Sequence, residues 1–294
     1  MSPDPEASGA VEAWERAGSF LDTEHGRVFV RDVPAAEPAD APPLLVLHGF
    51  PTCSFDFRLV LDRLSAHRRV VLFDQLGFGL SDKPDRRYGI HLQADTTEHV
   101  ARALDLDVVD LLTHDMGDSV GGELLARDLD GRRAFRVRRR VLTNGSIYLD
   151  LAQLTDGQQL LLALPDEAAD LVQETGYVAS LANTLATPDA APADELAAQW
   201  ELLRRNGGDR LLARTIRYLE DRRAEEARYT GAIEDHPTPL GVVWGAEDPI
   251  AVAAMPARLA DRLAHLRVDL LDGVGHYPML EAPERCADAV LTHL

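Results

Sequence analysis

Basic residues are scarce in this sequence of 294 residues, in which 30 lysines and arginines stand against 49 acidic residues and Lys83 is the one lysine. The net charge of −19 argues against nucleic acid and anionic membranes as partners, because both require a basic surface. No apolar run is long enough to cross a bilayer, and residues 1–18 lack the basic start and apolar stretch of a secretory signal. We therefore expect a cytoplasmic protein, monomeric or homodimeric, that begins with a loose tail over residues 1–18.

Cysteine is also rare, and Cys53 and Cys286 lie far apart without metal-ligand spacing. Such cysteines are typical of ordinary side chains in a reducing compartment. The glycines of residues 75–84 fit neither the Walker nor the dinucleotide-binding pattern. The sequence therefore predicts no metal and no cofactor.

A strand, a sharp turn and a helix are predicted within residues 107–126. Aliphatic side chains dominate the first part of this segment, and later ones recur at helical spacing. Asp115 falls at the apex of the turn, between the small residues Thr113 and Gly117, as a strained turn of this kind requires. The pattern predicts that Asp115 is a nucleophile presented at the end of a buried strand.

Two other interpretations of this segment remain open at this point. Gly117-Asp-Ser-Val-Gly121 matches the Gly-x-Ser-x-Gly pattern and would make Ser119 the nucleophile of an esterase. If Ser119 were the nucleophile, the buried strand would extend through Asp115. A buried carboxylate in a central strand is costly unless it has a partner. Alternatively, Asp115 is only a helix N-cap. If an acid and a histidine follow further along the chain, they favour a catalytic role for Asp115 over a role as a helix N-cap.

Further apolar strands alternate with helices along the chain. Strands are predicted over residues 27–32, 44–47, 70–74, 140–145, 239–245 and 268–271, and helices over residues 91–104 and 283–293. This alternation predicts an α/β protein with a parallel sheet, right-handed crossovers and functional side chains at the carboxyl ends of its strands.

Three loops after predicted strands carry the remaining candidate side chains. In His48-Gly-Phe-Pro51, Gly49 allows close approach of the backbone, and the amides of Phe50 and Met116 could converge as an oxyanion hole. Asp248 follows the strand over residues 239–245, and His276 follows the last strand. The chain order of nucleophile, acid and histidine is that of a hydrolase triad.

The strand pattern stops between residues 146 and 230, where apolar side chains recur at helical spacing. Helices are predicted over residues 150–163, 165–172, 193–205 and 209–227. We interpret residues 146–230 as a helical cap inserted between two parts of an α/β core, residues 19–145 and 231–294. Such a cap shuts out water and lines the substrate cavity.

Taken together, these motifs resemble the epoxide hydrolase and haloalkane dehalogenase branch of the α/β-hydrolases. The motifs are His48-Gly-Phe-Pro51, Asp74-Gln-Leu-Gly-Phe-Gly-Leu-Ser-Asp-Lys-Pro84, His114-Asp-Met-Gly117, Gly245-Ala-Glu-Asp248 and Gly275-His276. The runs Thr143-Asn-Gly145 and His276-Tyr-Pro278 look closest to the mesoderm-specific transcript group. The resemblance implies an α/β-hydrolase fold, with a mostly parallel eight-stranded sheet flanked by helices and an inserted helical cap.

The resemblance also implies roles for single residues. Asp115 would be the nucleophile, His276 the base that activates water, and Asp248 the residue that orients His276. Cap tyrosines supply the acid for epoxide opening in this branch. Tyr218 matches one such position, and Tyr148 and Tyr177 are candidates for a second.

We therefore expect a hydrolase that acts on a small apolar molecule and water, with epoxide hydrolysis as the first hypothesis. The alternatives are a haloalkane or haloacid dehalogenase with the same nucleophile, a serine esterase based on Ser119, and a ligand binder without activity. Met116 lacks the indole N–H with which dehalogenases hold the leaving halide, and this weakens the second hypothesis.

Overall fold

The computed structural model describes residues 5–37, 40–168 and 172–294. Within these residues, eight strands form one sheet. The strands are β1 (Ser19–Thr23), β2 (Gly26–Val33), β3 (Leu44–Leu47), β4 (Val70–Phe73), β5 (Val108–His114), β6 (Arg136–Thr143), β7 (Leu240–Gly245) and β8 (Arg267–Leu271). Their spatial order is β1-β2-β4-β3-β5-β6-β7-β8.

The sheet is mostly parallel. The β1–β2 and β2–β4 pairs are antiparallel, and all other neighbours are parallel. Leu47 of β3 is level with Thr113 of β5, and His114 is level with Thr143 of β6. The loops after these strands therefore leave the same edge of the sheet side by side. The predicted eight-stranded α/β-hydrolase sheet is confirmed.

The strands β3 and β4, in the middle of the sheet, are stable because all of their side chains are apolar and buried. All four residues of β3 and of β4 are buried, and each such side chain contributes about 1.5–3 kcal/mol. The neighbouring strand β5 contains a buried charged residue, Asp110. Its carboxylate is fully buried and pairs with Arg68 Nη1 at 2.8 Å and Arg138 Nε at 2.9 Å. These partners offset the cost of burying its charge.

Helices flank the sheet. They are α1 (Pro5–Arg16), α2 (Leu61–Leu64), α3 (Ile90–Ala103), α4 (Met116–Leu129), α5 (Asp156–Ala163), α6 (Glu174–Ala182), α7 (Ala193–Arg204), α8 (Leu212–Thr215), α9 (Tyr218–Ala224), α10 (Glu226–Asp235), α11 (Ala254–Arg262), α12 (Pro278–Glu281) and α13 (Pro283–His293), with 3₁₀ helices at Ser54–Phe57 and Arg205–Arg210. The helices predicted over residues 91–104 and 283–293 are confirmed as α3 and α13. None of the described helices combines the length and apolar character needed to span a membrane.

The N-terminal segment corrects one expectation. The loose tail predicted over residues 1–18 is wrong for its described part, because α1 begins at Pro5. Val11 and Trp14 are buried on one face of this helix, and the Trp14 ring meets the Phe55 ring edge-on at 5.5 Å. A composition rich in alanine and glutamate favours a helix, and contact with the core stabilises it. Residues 1–4 lie outside the described residues.

Between β6 and β7 every described element is helical, as predicted, but two helix positions are wrong. Residues 165–168 form a turn where a helix was expected over 165–172, and α6 begins only at Glu174. Residues 169–171 lie outside the described residues. The single helix expected over residues 209–227 is divided into α8, α9 and the start of α10.

The other two predicted helices of this region agree better with the structure. The prediction over residues 193–205 is confirmed as α7. The prediction over residues 150–163 has the correct end, but α5 begins later. Thr155 caps it by accepting the N–H of Gln158, and the Gln158 side chain in turn accepts the N–H of Thr155. This reciprocal cap fixes the helix start, which apolar periodicity alone does not locate.

Candidate active site

A single-residue turn between β5 and α4 presents Asp115. β5 ends at His114, α4 begins at Met116, and Asp115 has φ 49° and ψ −115°. This backbone conformation costs about 1–3 kcal/mol in a residue with a Cβ. The first turn of α4 packs closely on β3, since a Cβ at Gly117 would clash with the carbonyl oxygen of Leu47. The predicted strand, turn and helix therefore occur where the sequence placed them.

Backbone N–H groups hold the carboxylate of Asp115. Its Oδ2 accepts a hydrogen bond from the N–H of Phe50 at 2.8 Å. Gly49 permits this approach, because a Cβ there would lie 2.5 Å from the Cβ of Asp115. Burial raises the pKa of Asp115, while His276 and the N–H groups of Phe50 and Met116 oppose the increase. The two amides expected to form an oxyanion hole thus point at the Asp115 side chain.

His276, on the loop between β8 and α12, faces Asp115. Its Nδ1 lies 2.7 Å from Asp248 Oδ2, and its Nε2 lies 3.9 Å from Asp115 Oδ1. Burial alone would lower the pKa of His276, but Asp248 and then Asp115 outweigh that effect and raise this pKa to about 9. The imidazole is therefore positively charged at neutral pH. The structure brings together the three side chains selected from the sequence.

Asp248 is fixed by further hydrogen bonds. Its Oδ1 accepts the N–H groups of Ile250 at 2.7 Å and Ala251 at 3.0 Å. Its Oδ2 accepts a hydrogen bond from Asn144 Nδ2 at 2.8 Å. Asn144 follows β6 with φ 44°, and its Oδ1 accepts the N–H of Gly245 at 2.9 Å. This role of Asn144 was not predicted, although the Thr-Asn-Gly run at the strand end marks the position.

His48 shapes the loop that carries the Phe50 N–H. The N–H of Gln75 donates to His48 Nε2 at 2.8 Å, and Gln75 Nε2 donates to the His48 carbonyl oxygen at 2.6 Å. Burial lowers the pKa of His48, so its neutral ring can accept the first of these bonds. Pro51, in the same loop, lines the adjacent cavity.

A cavity of about 230 Å³ lies between the loops of Phe50 and His276 and the helices α5, α6 and α8. Its wall is mainly apolar and includes Leu161, Leu181 and Ile250. Tyr277 also lines this cavity, a role not predicted although the residue adjoins His276 in the sequence. An apolar cavity with a few polar groups at one point is typical of a site for a small molecule.

Two of the three candidate tyrosines lie near this cavity. The ring of Tyr218, on α9, is 5.8 Å from the ring of Phe50, centroid to centroid. Burial raises the pKa of Tyr218, and the negative charge of Asp115 adds to the increase. Tyr177, on α6, is one of the residues that line the cavity.

Tyr148 is not brought to the site. Its hydroxyl donates to Glu234 Oε1 at 2.8 Å, and the guanidinium carbon of Arg258 lies 4.7 Å from the centre of its ring. These partners come from α10 and α11, and Tyr148 is not among the described residues that line the cavity. The prediction of Tyr148 as an acid is therefore corrected.

Ser119, the alternative nucleophile, lies one turn into α4 and is buried. Arg222 of α9 donates a hydrogen bond from Nη1 to the Ser119 hydroxyl, and its Nη2 donates to the carbonyl oxygen of Ile147 at 2.7 Å. Arg222 is itself buried. The hydroxyl of Ser119 thus joins α4 to α9.

Cys53 and Cys286 are buried free thiols. Burial raises the pKa of both, that of Cys286 to about 12, so neither is a thiolate at neutral pH. In the part of the chain that the structure describes, no group of three or more histidine, cysteine, aspartate or glutamate side chains could hold a metal ion.

The fold and this arrangement of side chains define an α/β-hydrolase, and residues 44–289 match the alpha/beta hydrolase family. The chain belongs to this family. It is 43% identical over 289 residues to LipZ of Mycobacterium tuberculosis, a protein named as a hydrolase, across 98% of this chain and 99% of LipZ. It is 30% identical over 292 residues to the mesoderm-specific transcript protein of Mus musculus, across 96% and 87% of the two chains.

Solved structures of other proteins have the same fold. An alpha/beta hydrolase fold protein from Burkholderia ambifaria is 24% identical and superposes with a TM-score of 0.76, across 93% of this chain and 97% of that chain. The predicted resemblance to the α/β-hydrolases, including the mesoderm-specific transcript group, is confirmed.

Proposed function

We propose that the protein hydrolyses small apolar epoxides through an ester formed on Asp115. The observation that carries this proposal is the position of the Asp115 carboxylate, which accepts the N–H of Phe50 and lies 3.9 Å from His276. The turn between a central strand and its following helix is where an α/β-hydrolase presents its nucleophile. A carboxylate attacks saturated carbon without a base to deprotonate it. The N–H groups of Phe50 and Met116, together with His276, favour the ionised form of Asp115.

In the first step, an oxygen of Asp115 attacks a ring carbon of the epoxide while the bond from that carbon to the ring oxygen breaks. The proton for the ring oxygen comes from the hydroxyl of Tyr218, which is on α9 and packs against Phe50. The products of this step are a hydroxy-alkyl ester on Asp115 and a Tyr218 phenolate. The charged His276 then returns a proton to that phenolate and becomes neutral.

Formation of the ester prepares His276 for the second step. The ester removes the negative charge of Asp115, one of the groups that raise the pKa of His276. The neutral imidazole takes a proton from water as the water oxygen attacks the ester carbonyl carbon. The N–H groups of Phe50 and Met116 stabilise the resulting oxyanion. Collapse releases the diol, whose oxygen takes the second proton of the water, and restores the carboxylate of Asp115.

The rival activities have less support. A haloalkane dehalogenase would use the same Asp115, but Met116 offers no side-chain N–H to hold the leaving halide. A serine esterase would need Ser119 to face an imidazole, whereas its hydroxyl accepts a hydrogen bond from Arg222. Epoxide hydrolysis needs no halide site. In this reaction Asp115 acts as the nucleophile, Tyr218 as the acid and His276 as the base.

We propose in addition that residues 146–230 are the cap of this enzyme. Three helices of this region, α5, α6 and α8, contribute residues to the cavity wall, and α9 carries Tyr218. Their apolar side chains keep bulk water away from the ester on Asp115, so that the ester is hydrolysed by a water molecule that His276 activates.

Turnover in heavy-oxygen water should place label on Asp115. Because the water oxygen adds to the ester carbonyl carbon, heavy oxygen enters the carboxylate as turnover proceeds. Fragment masses of the peptide that spans Asp115, Asp118 and Ser119 measure the position of the label. Protein kept in heavy-oxygen water without substrate is the control. Label that is absent after many turnovers, or confined to Ser119, would contradict the proposal.

Replacing Tyr218 with phenylalanine should lower kcat for epoxides about 10²-fold, because the ring oxygen then leaves without a general acid. The ring contact with Phe50 is kept, so the loss reports the hydroxyl. Tyr229→Phe is the matched control, since Tyr229 is equally buried and its hydroxyl lies 3.5 Å from His91 Nε2. Steady-state kinetics on styrene oxide compare the variants, and equal rates for both would exclude Tyr218 as the acid.

A further inference from the structure

A buried arginine lies on the same helix as Tyr218. Arg222 follows Tyr218 by four positions in α9, and both side chains are buried. Side chains four positions apart lie on one face of a helix, and each of them leans toward the N-terminus of the helix. The side chain of Arg222 therefore extends over the turn that begins at Tyr218.

Two groups hold the guanidinium of Arg222 in place. Its Nη1 donates to the hydroxyl of Ser119, and its Nη2 donates to the carbonyl oxygen of Ile147 at 2.7 Å. Ser119 belongs to α4, the helix that begins directly after Asp115. Arg222 thus connects the helix of Tyr218 to the helix next to Asp115. Both of these partners are uncharged, so they do not neutralise the positive charge of Arg222.

The charge of Arg222 acts more strongly on Tyr218 than on Asp115. Burial lowers the pKa of Arg222, and the acidic groups around it oppose the decrease. Among these groups Tyr218 has the largest effect, and Asp115 has a smaller one. Burial and then Asp115 raise the pKa of Tyr218, and Arg222 opposes that increase. Because an arginine keeps its proton in a protein, its charge favours a negative charge on the oxygen of Tyr218.

Two other acidic groups, Asp118 and Glu226, influence Arg222. Burial raises the pKa of Asp118 well above its usual value, although a hydrogen bond from Thr113 and the charge of Arg222 oppose the increase. The carboxyl group of Asp118 therefore favours its neutral form. The effect of Glu226 on the pKa of Arg222 is smaller than that of Tyr218. Tyr218 is thus the acidic group on which the charge of Arg222 acts most.

We propose that Arg222 stabilises the phenolate that Tyr218 becomes when its hydroxyl protonates the epoxide oxygen. In that step the negative charge leaves Asp115, which becomes an ester, and appears on the oxygen of Tyr218. Because Arg222 interacts more strongly with Tyr218 than with Asp115, it stabilises the end of this charge transfer more than its start, and this lowers the barrier. Arg222 acts through Tyr218 and is a positioning residue. The role rests on the proposed function of the site.

A double-mutant cycle with Tyr218→Phe tests this role. Disappearance of styrene oxide in a single turnover, with protein in excess, measures the ester-forming step. Arg222→Gln removes the charge and should slow this step at least about tenfold. In the Tyr218→Phe background the same change should alter the rate less than about twofold, because no phenolate forms there. A structural role would give equal losses in both backgrounds, and that result would overturn the proposal.

Arg222→Lys separates the charge from the shape of the side chain. Lysine keeps the positive charge, so this variant should be several times faster than Arg222→Gln. Any remaining loss should disappear in the Tyr218→Phe background. If Arg222→Gln does not fold, the lysine variant supplies the cycle by itself. A lysine variant that is as slow as the glutamine variant would overturn the assignment of the effect to charge.

Arg140→Gln is the matched control for the loss of a buried arginine. Arg140 is 2% exposed and Arg222 is 1% exposed. Arg140 Nη2 donates to the carbonyl oxygen of His236 at 3.0 Å, and Arg140 is not among the groups that shift the pKa of Tyr218. Its replacement should leave the ester-forming step within about twofold. An equal slowing in Arg140→Gln and Arg222→Gln would contradict a specific role for Arg222.

The labelling of Asp115 by heavy oxygen separates failure of this role from failure of the proposed function. If the wild-type protein consumes no epoxide, or if no label enters Asp115, the proposed function is wrong and the role of Arg222 is wrong with it. If label enters Asp115 but the losses in the cycle are equal in both backgrounds, epoxide hydrolysis stands and only the role of Arg222 is overturned.

Discussion

Replacement of Asp115 by asparagine should lower kcat/KM at least about 10⁴-fold. An amide oxygen is uncharged and a weak nucleophile, so no ester forms and no heavy oxygen enters residue 115. The fold should be kept, because asparagine tolerates a positive φ and the variant removes a carboxylate whose pKa burial raises. Steady-state kinetics and thermal unfolding of the same preparations measure the two effects.

Ser119→Ala is the matched control for this variant. It removes the hydroxyl that Arg222 contacts, so we expect a loss of stability of about 1–3 kcal/mol from the unpaired donor. Its kcat/KM should stay within about tenfold of the wild-type value. If Ser119→Ala were inactive while Asp115→Asn retained turnover, the esterase alternative would be correct and Asp115 would not be the nucleophile.

Replacement of His276 by glutamine should stop the second step and allow the first. Glutamine cannot take a proton from water, so the ester on Asp115 accumulates instead of being hydrolysed. The mass of the intact protein should increase by one substrate molecule. Steady-state turnover should fall at least about 10³-fold. Intact-protein mass spectrometry after incubation with styrene oxide measures the adduct.

The double variant Asp115→Asn, His276→Gln identifies the atom that carries the adduct. It should gain no mass with the same epoxide, because the attacking carboxylate is absent. A His276→Gln protein that lacks both adduct and turnover would mean that the imidazole is required before the ester forms. That result would contradict the division of the reaction between Asp115 and His276.

Local patterns were sufficient to predict the strand, turn and helix at the centre of the candidate site. The aliphatic run of β5, the single residue Asp115 and the small Gly117 lie within a few positions of one another, and the strand and helix occur as predicted. Asp248 and His276 were found because each follows an apolar strand, and parallel strands end at the same edge of a sheet. Patterns of this kind depend on neighbours along the chain.

Predictions that depended on distant contacts were less accurate. The segment of α1 has a composition compatible with a tail, and the contact of Trp14 with Phe55 at 5.5 Å belongs to the tertiary structure. The argument against Ser119 used the cost of a buried carboxylate in a strand. Asp110 shows that such a carboxylate is tolerated where Arg68 and Arg138 reach it. The hydrogen bond from Arg222 to Ser119 is therefore stronger grounds against the esterase than the strand argument.

The amino-acid sequence by itself determined the class of fold, the sharp turn at Asp115 and the chain order of the acid and histidine that follow it, because short-range periodicity and residue size dictate these features. The tertiary structure alone decided the environment of each tyrosine. Tyr218 packs against Phe50, Tyr177 lines the cavity and packs against Trp200, and Tyr148 is bonded to Glu234. The physical reason is that helices far apart in the chain set these contacts by packing together, and helical periodicity specifies a buried face without specifying its partner.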